Sequence, residues 1–143
     1  MKYLVDTCAL SELQRRRPNK DVVAWFKKRF DDSLFFVSAV SIAEIRRGVN
    51  RLDAGDTRRQ RLEDWLDNKI LPQYSDSILP FDLPVAQKWG EIMAEADRAG
   101  CPRPPLDAQI VATAIVHGLS VVTRNVRDLD FADVKIVNPW EDK

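Results

Sequence analysis

Residues 2–6 read KYLVD, and the fold turns on how this stretch is taken. Four residues rich in apolar side chains run without a polar alternation and stop at Asp6. A short continuous apolar run of this kind is a strand buried on both faces. A strand covered on both faces belongs to a parallel sheet between helical layers. An acid directly after such a strand stands where open α/β sheets collect their ligands.

The pattern repeats outward from there. Leu34–Val37 (LFFV), Ile78–Leu79, Leu119–Thr123 (LSVVT) and Lys135–Val137 (KIV) are further short apolar runs. Segments at helical spacing lie between them. Leu10–Arg17 reads as a short helix stopped by Pro18. Asp21–Phe30 carries Val22, Val23, Trp25, Phe26 and Phe30 on one face. Ser38–Gly48 switches to helical period and ends at a glycine, a C-cap signal. Asp56–Leu71 is a charged amphipathic helix before Pro72. Asp82–Ala99 opens on an N-cap aspartate with a proline in its first turn and ends at Gly100. Leu106–His117 is an apolar helix closed by Gly118. The expected fold class is α/β, a three-layer α/β/α sandwich around a central parallel sheet, in one domain over residues 1–143.

Composition narrows the function classes. Lys+Arg and Asp+Glu are equal at 22 each, so the chain lacks the cationic excess of a protein that holds nucleic acid by bulk charge. A nucleic-acid enzyme remains open, because a bound cation reverses the local charge of clustered carboxylates. Cys8 and Cys101 are far apart and the chain has one histidine, His117, so no zinc set forms. The thiols read as free, in a reducing cytoplasm. No apolar run approaches the roughly 20 residues of a membrane span, and Asp6 interrupts the N-terminal one before it reaches signal-peptide length.

Three carboxylates fall at or beside the carboxyl edge of the expected sheet. Asp6 follows the first strand, Glu44 lies in the helix after the second, and Asp107 opens the helix before the fourth. Thr123, Asn125 and Asp128 follow the fourth strand within TRNVRD. Gathered hard oxygen donors suit Mg²⁺ or Mn²⁺, which keep several waters and activate one toward a phosphodiester. Each acid also has a structural role open to it. Asp6 fits a helix cap. Ser41-Ile-Ala-Glu44 fits a capping box. Asp107 suits the positive end of a helix dipole. Arg46 and Arg47 behind Glu44, and Arg124 and Arg127 around the fourth strand's end, are candidate phosphate contacts or ordinary solvated arginines.

The segments LVDTCALSEL, FVSAVSIAEIRRGV, ILPFDLPVA, PLDAQIVATAIVHGLSVVTRNVRDL and VNPW, in this order and spacing, resemble the PIN-domain family and within it the VapC/FitB-like toxin ribonucleases. The resemblance spans nearly the whole chain. It implies Mg²⁺- or Mn²⁺-dependent cleavage of RNA, with the family's three acids at Asp6, Glu44 and Asp107. Its conserved hydroxyl falls at Thr123 and its fourth position at Asn125, where the family often has Asp. Asp128 is the alternative fourth corner. Thr7, Thr123, Arg46, Arg47 and Arg124 are candidate substrate-positioning residues. The resemblance further implies a small antitoxin partner that also binds operator DNA, and a homodimer. Trp25, Phe26, Phe30 and Trp65 are core residues on the simplest reading, with part of that surface a groove for the antitoxin on the other.

Two competing readings come from other classes. A PIN-like binding module without catalysis is favoured by Asn125. A receiver-like signalling domain needs paired acids after the first strand and a late lysine near the site; here Asp6 stands alone, and the late lysines are Lys135 and Lys143.

Overall fold

The computed structural model describes residues 1–141, and Lys143 lies outside them. Five parallel strands form one sheet in the order β3-β2-β1-β4-β5. They are β1 (Lys2–Val5), β2 (Leu34–Ser38), β3 (Ile78–Leu79), β4 (Ser120–Val122) and β5 (Ile136–Val137). All five apolar runs of the sequence are strands. Leu4 pairs with Phe36 of β2 and Val121 of β4, which puts β1 at the centre.

Alternation across β1 builds two cores. Leu4, with Val121, faces α6 (Leu83–Arg98) and α7 (Pro105–His117). Tyr3 and Val5 face the opposite layer, made by α1 (Thr7–Leu13), α2 (Lys20–Arg29), α3 (Ala39–Asn50) and α4 (Thr57–Trp65). Leu4 and Val5 are wholly buried. Truncating Leu4 to alanine removes packing worth about 2–5 kcal/mol. No helix among the described residues is long and apolar enough to cross a membrane.

Several helix ends differ from the sequence expectation, each for a local reason. The first helix occupies Thr7–Leu13 rather than Leu10–Arg17, because the chain turns into helix directly after Asp6. It stops early because the buried Glu12 carboxylate accepts the Asn19 N–H at 2.9 Å and draws the following loop back. Asn19 then caps α2, its Oδ1 accepting from Asp21 N and Val22 N. Gly48 does not end its helix, which runs on to Asn50. The long helical run from Thr57 passes through a widened π turn at Leu66–Ile70 into α5 (Leu71–Gln73). That turn comes directly before Pro72, which has no N–H to give to an α-helical bond. Gly100 and Gly118 do follow their helices, both with positive φ. A further short helix, α8 (Val126–Leu129), follows β4.

The surplus aromatics divide. Trp25 is buried, edge-on to Tyr3 and Phe26 at 5.0 Å each. Phe30 is 77% exposed and belongs to no core. Trp65 lines a groove of about 770 Å³ with Leu10, Leu13, Arg61, Ile70 and Tyr74. Cys8 and Cys101 are free thiols.

Candidate metal and nucleic-acid site

The strand order reverses direction between β1 and β4: the chain moves from β1 outward to β2 and β3, then returns to β4 and β5. A crevice opens outside the carboxyl ends of two such strands. Asp6 sits at its floor. Its N–H donates to Val122 O at 3.0 Å, so the sheet ladder fixes its backbone. It is buried and stands at the N-cap position of α1, yet its side chain caps nothing. The carboxylate instead accepts the Thr123 hydroxyl at 2.9 Å from across the sheet.

Thr123 is itself fixed. Its N–H donates to Val137 O, and its Oγ1 accepts the Asn125 N–H, both at 3.0 Å. The thiol of Cys8 completes this knot, 3.6 Å from Asp6 Oδ2 and 3.3 Å from Thr123 Oγ1, while accepting the Arg124 N–H at 3.4 Å. Cys8 carried no signal in the sequence beyond being a free thiol. Its partners are more than a hundred residues away along the chain, apart from Asp6.

Glu44 is not a cap. Ser38 holds the N-cap of α3, its Oγ accepting Val40 N at 3.0 Å. Ser41 lies inside the helix, fully buried, with its hydroxyl unpartnered among the described residues. The capping-box reading therefore fails by one turn, and Glu44 projects from the second turn toward the crevice. Its carboxyl is held above the ordinary value, first by partial burial, then by the charges of Asp6 and Asp107. The Thr7 hydroxyl pulls the other way, weakly: it is buried without a partner at ordinary hydrogen-bond geometry.

Asp107 occupies the first turn of α7. It too is held high, by burial first and then by the charges of Asp6 and Asp128. Asp128 thus belongs to the same electrostatic cluster. Asn125 stands exposed at the N-cap position of α8 without capping it, and it touches the site through its backbone. Arg46 is tied to Asp67 in an ion pair and points along the helical layer. Arg124 is exposed, its guanidinium 5.5 Å above the Trp140 ring, within cation–π range. His117 ends α7 and takes no part.

The charges acting on Glu44 and Asp107 all come from carboxylates. Like charges so arranged repel, and a divalent cation relieves the repulsion. The donor set is hard oxygen, as Mg²⁺ and Mn²⁺ require. Among the described residues no three acidic, thiol or imidazole groups converge into a ready cage of direct ligands.

The sequence profile of the PIN domain matches residues 3–137. The chain is 35% identical over 138 residues to the VapC ribonuclease Y4jK of Sinorhizobium fredii, covering 96% of this chain and 97% of the relative. It is 39% identical over 139 residues to the toxin FitB of Neisseria gonorrhoeae, covering 97% and 99%. The solved structure of FitAB bound to an IR36 DNA fragment contains a chain that superposes with a TM-score of 0.85 at 38% identity. The match covers 98% of this chain and 96% of that one.

Proposed function

The chain belongs to the PIN domain family, and from that premise we propose that it is a metal-dependent endoribonuclease, the toxin of a type II toxin–antitoxin pair. The observation that carries the reading is the cluster of Asp6, Glu44, Asp107 and Asp128 at the switch point of the sheet, in which carboxylates act on carboxylates.

Asp6, Glu44 and Asp107 would hold Mg²⁺ or Mn²⁺, and Asp128 would supply the fourth charge. A divalent cation there would supply charge stabilisation at the phosphodiester and would lower the pKa of an attacking water. The protein's own groups set the geometry. Thr123 fixes the Asp6 carboxylate by donating to Oδ2. Asn125 acts through its N–H, which holds the Thr123 hydroxyl in place. Thr7 orients Glu44. The sheet ladder anchors the backbones of both Asp6 and Thr123.

The names of the relatives supply the biological frame: a VapC ribonuclease, a FitB toxin and a FitAB complex on DNA. By analogy this chain pairs with a small DNA-binding antitoxin. The groove beside Trp65 and Tyr74 offers that partner an apolar surface with polar walls.

Incubating the purified chain with single-stranded RNA in Mg²⁺ or Mn²⁺ is the test. Cleavage that stops with chelator and is absent from Asp107→Asn is the expected result. Intact RNA under every metal condition overturns the reading.

A further inference from the structure

Helix α3 carries two more features in line with Glu44. Arg47 follows it by three residues and Arg51 by seven, so the three succeed one another along one side of the helix, about 4.5 Å and then about 6 Å apart along its axis. A groove of about 230 Å³ runs there, and Glu44, Arg47 and Arg51 all line it. Its apolar wall is Ala43 and Leu106, and Leu106 is 44% exposed directly before Asp107. Gly48 forms part of the floor, and a Cβ built there meets nothing within 4 Å.

The arginines differ in what holds them. Arg46, between Glu44 and Arg47 in sequence, is neutralised by Asp67. Arg47 and Arg51 are exposed, and neither makes an ion pair among the described residues. Two unneutralised guanidinium groups therefore border a groove that opens on the carboxylate cluster. The carboxylates repel a polyanion, and a chain of zero net charge has no bulk cationic field to offset that. The offset has to be local. Guanidinium groups are matched to phosphate by their planar fork, and Leu106 with Ala43 gives a sugar or base an apolar face.

We infer that this groove is a strand-binding subsite, in which Arg47 and Arg51 hold the backbone phosphates next to the scissile one and lead the single-stranded RNA down the outer side of α3. The inference rests on the ribonuclease reading and adds the path of the substrate. It assigns Arg51 a role, and it removes Arg46 from the candidates. Continuity with Glu44 favours RNA over an acidic protein segment as the occupant, because the groove shares a wall with the site of cleavage.

The test compares wild type with Arg47→Ala, Arg51→Ala and the double variant, and with Arg58→Ala as a surface control outside the groove. The probe is a fluorescent single-stranded RNA of mixed sequence, bound in chelator over a series of salt concentrations and cleaved in Mg²⁺. Each lost phosphate contact lowers the magnitude of the slope of log K against log salt by about 0.7. The double variant is therefore expected to lose about 1.4 from the slope. Its KM is expected to rise about fivefold to tenfold with kcat little changed, the pattern of lost uniform binding. Arg51→Lys should restore the slope, since a point charge still meets the phosphate. Gly48→Leu puts bulk into the groove without a clash and improves helix propensity. It should raise KM without lowering thermal stability.

An unchanged slope and unchanged KM in the double variant overturn the inference. So does a double variant that keeps RNA binding but loses affinity for polyglutamate, which assigns the groove to an acidic protein. Wild type that binds RNA through these arginines yet never cleaves it leaves the subsite standing and sinks the ribonuclease reading instead.

Discussion

Asp6 and Asp56 hold the same local position and do opposite things. Both stand at the N-cap of a helix with extended backbone. Asp56 caps α4: its Oδ1 accepts the Arg58 N–H at 2.9 Å, and the carboxylate pairs with the Arg58 guanidinium at 2.7 Å. Arg58's side chain and its backbone N–H hold it down at about 2. Asp6 leaves α1 uncapped, turns its carboxylate to Thr123 and faces other carboxylates. One region uses charge to close a helix; the other forgoes the cap and accumulates repulsion. Acids whose ionisation is disfavoured by like-charged neighbours gather more often at functional sites than elsewhere.

The sharpest way to break the comparison is to remove the charge at each place. Asp6→Asn should lower RNA cleavage by about a thousandfold or more, several kcal/mol of lost cation binding and transition-state stabilisation. Its metal-free thermal stability should stay level or rise, because Asn can still accept from Thr123 and no longer repels Glu44 and Asp107. A stable Asp6→Asn protein of near wild-type activity would mean that the residue is structural.

Thr123→Val asks whether the hydroxyl matters as a support. The shape is kept and the donor to Asp6 is lost, so cation affinity or activity should fall about 10-fold to 100-fold, the usual cost of losing a group that orients a ligand. Matched activity titrations against Mn²⁺ read it out.

Metal addition probes the repulsion itself. At a hundredfold excess over Kd, Mg²⁺ or Mn²⁺ should stabilise the fold by about 2.7 kcal/mol, or about 6–10 °C in Tm for a domain of this size. Without metal the sign with pH is fixed by Glu44 and Asp107. Their folded values lie above the ordinary 4.5 and 3.8, so the folded state binds the extra protons. Metal-free stability from these two groups is therefore greatest below their ordinary values and is lost as pH rises through the raised ones. Cation binding needs the ionised forms, so the metal-induced gain in Tm should grow over the same range. Calorimetric scans with and without metal at several pH values check both directions.

The smallest effect is expected at the paired acid. Asp56→Ala should lower Tm by about 2–4 °C through the lost cap and leave cleavage untouched. A large loss of activity there would erase the distinction between the two regions.

These two acids also show what was legible in the sequence. The strands were, because continuous apolar runs such as KYLV and LFFV have few alternatives inside a small domain. The three acids were legible as candidates, each with a structural role also open to it, and the family resemblance is what joined them. Helix ends were less so: Gly48 resembled a terminator but lies on an open helix face where glycine is merely tolerated. Ser41 and Ser38 offer the cap of α3 the same chemistry one turn apart, and only backbone geometry separates them. The bonds among Asp6, Cys8, Thr123 and Arg124 join residues from opposite ends of the chain, and no local pattern encodes them. Asp128 bears on Asp107 through its charge, a nearness that only the fold shows.

Titrating metal-free protein with Mn²⁺, while following bound ion and RNA cleavage in the same samples, tests the carboxylate cluster most directly. Binding and activity should rise together, and Asp6→Asn and Asp107→Asn should lose both. Cleavage at full rate without bound Mn²⁺, or Mn²⁺ binding undiminished in both variants, would contradict it.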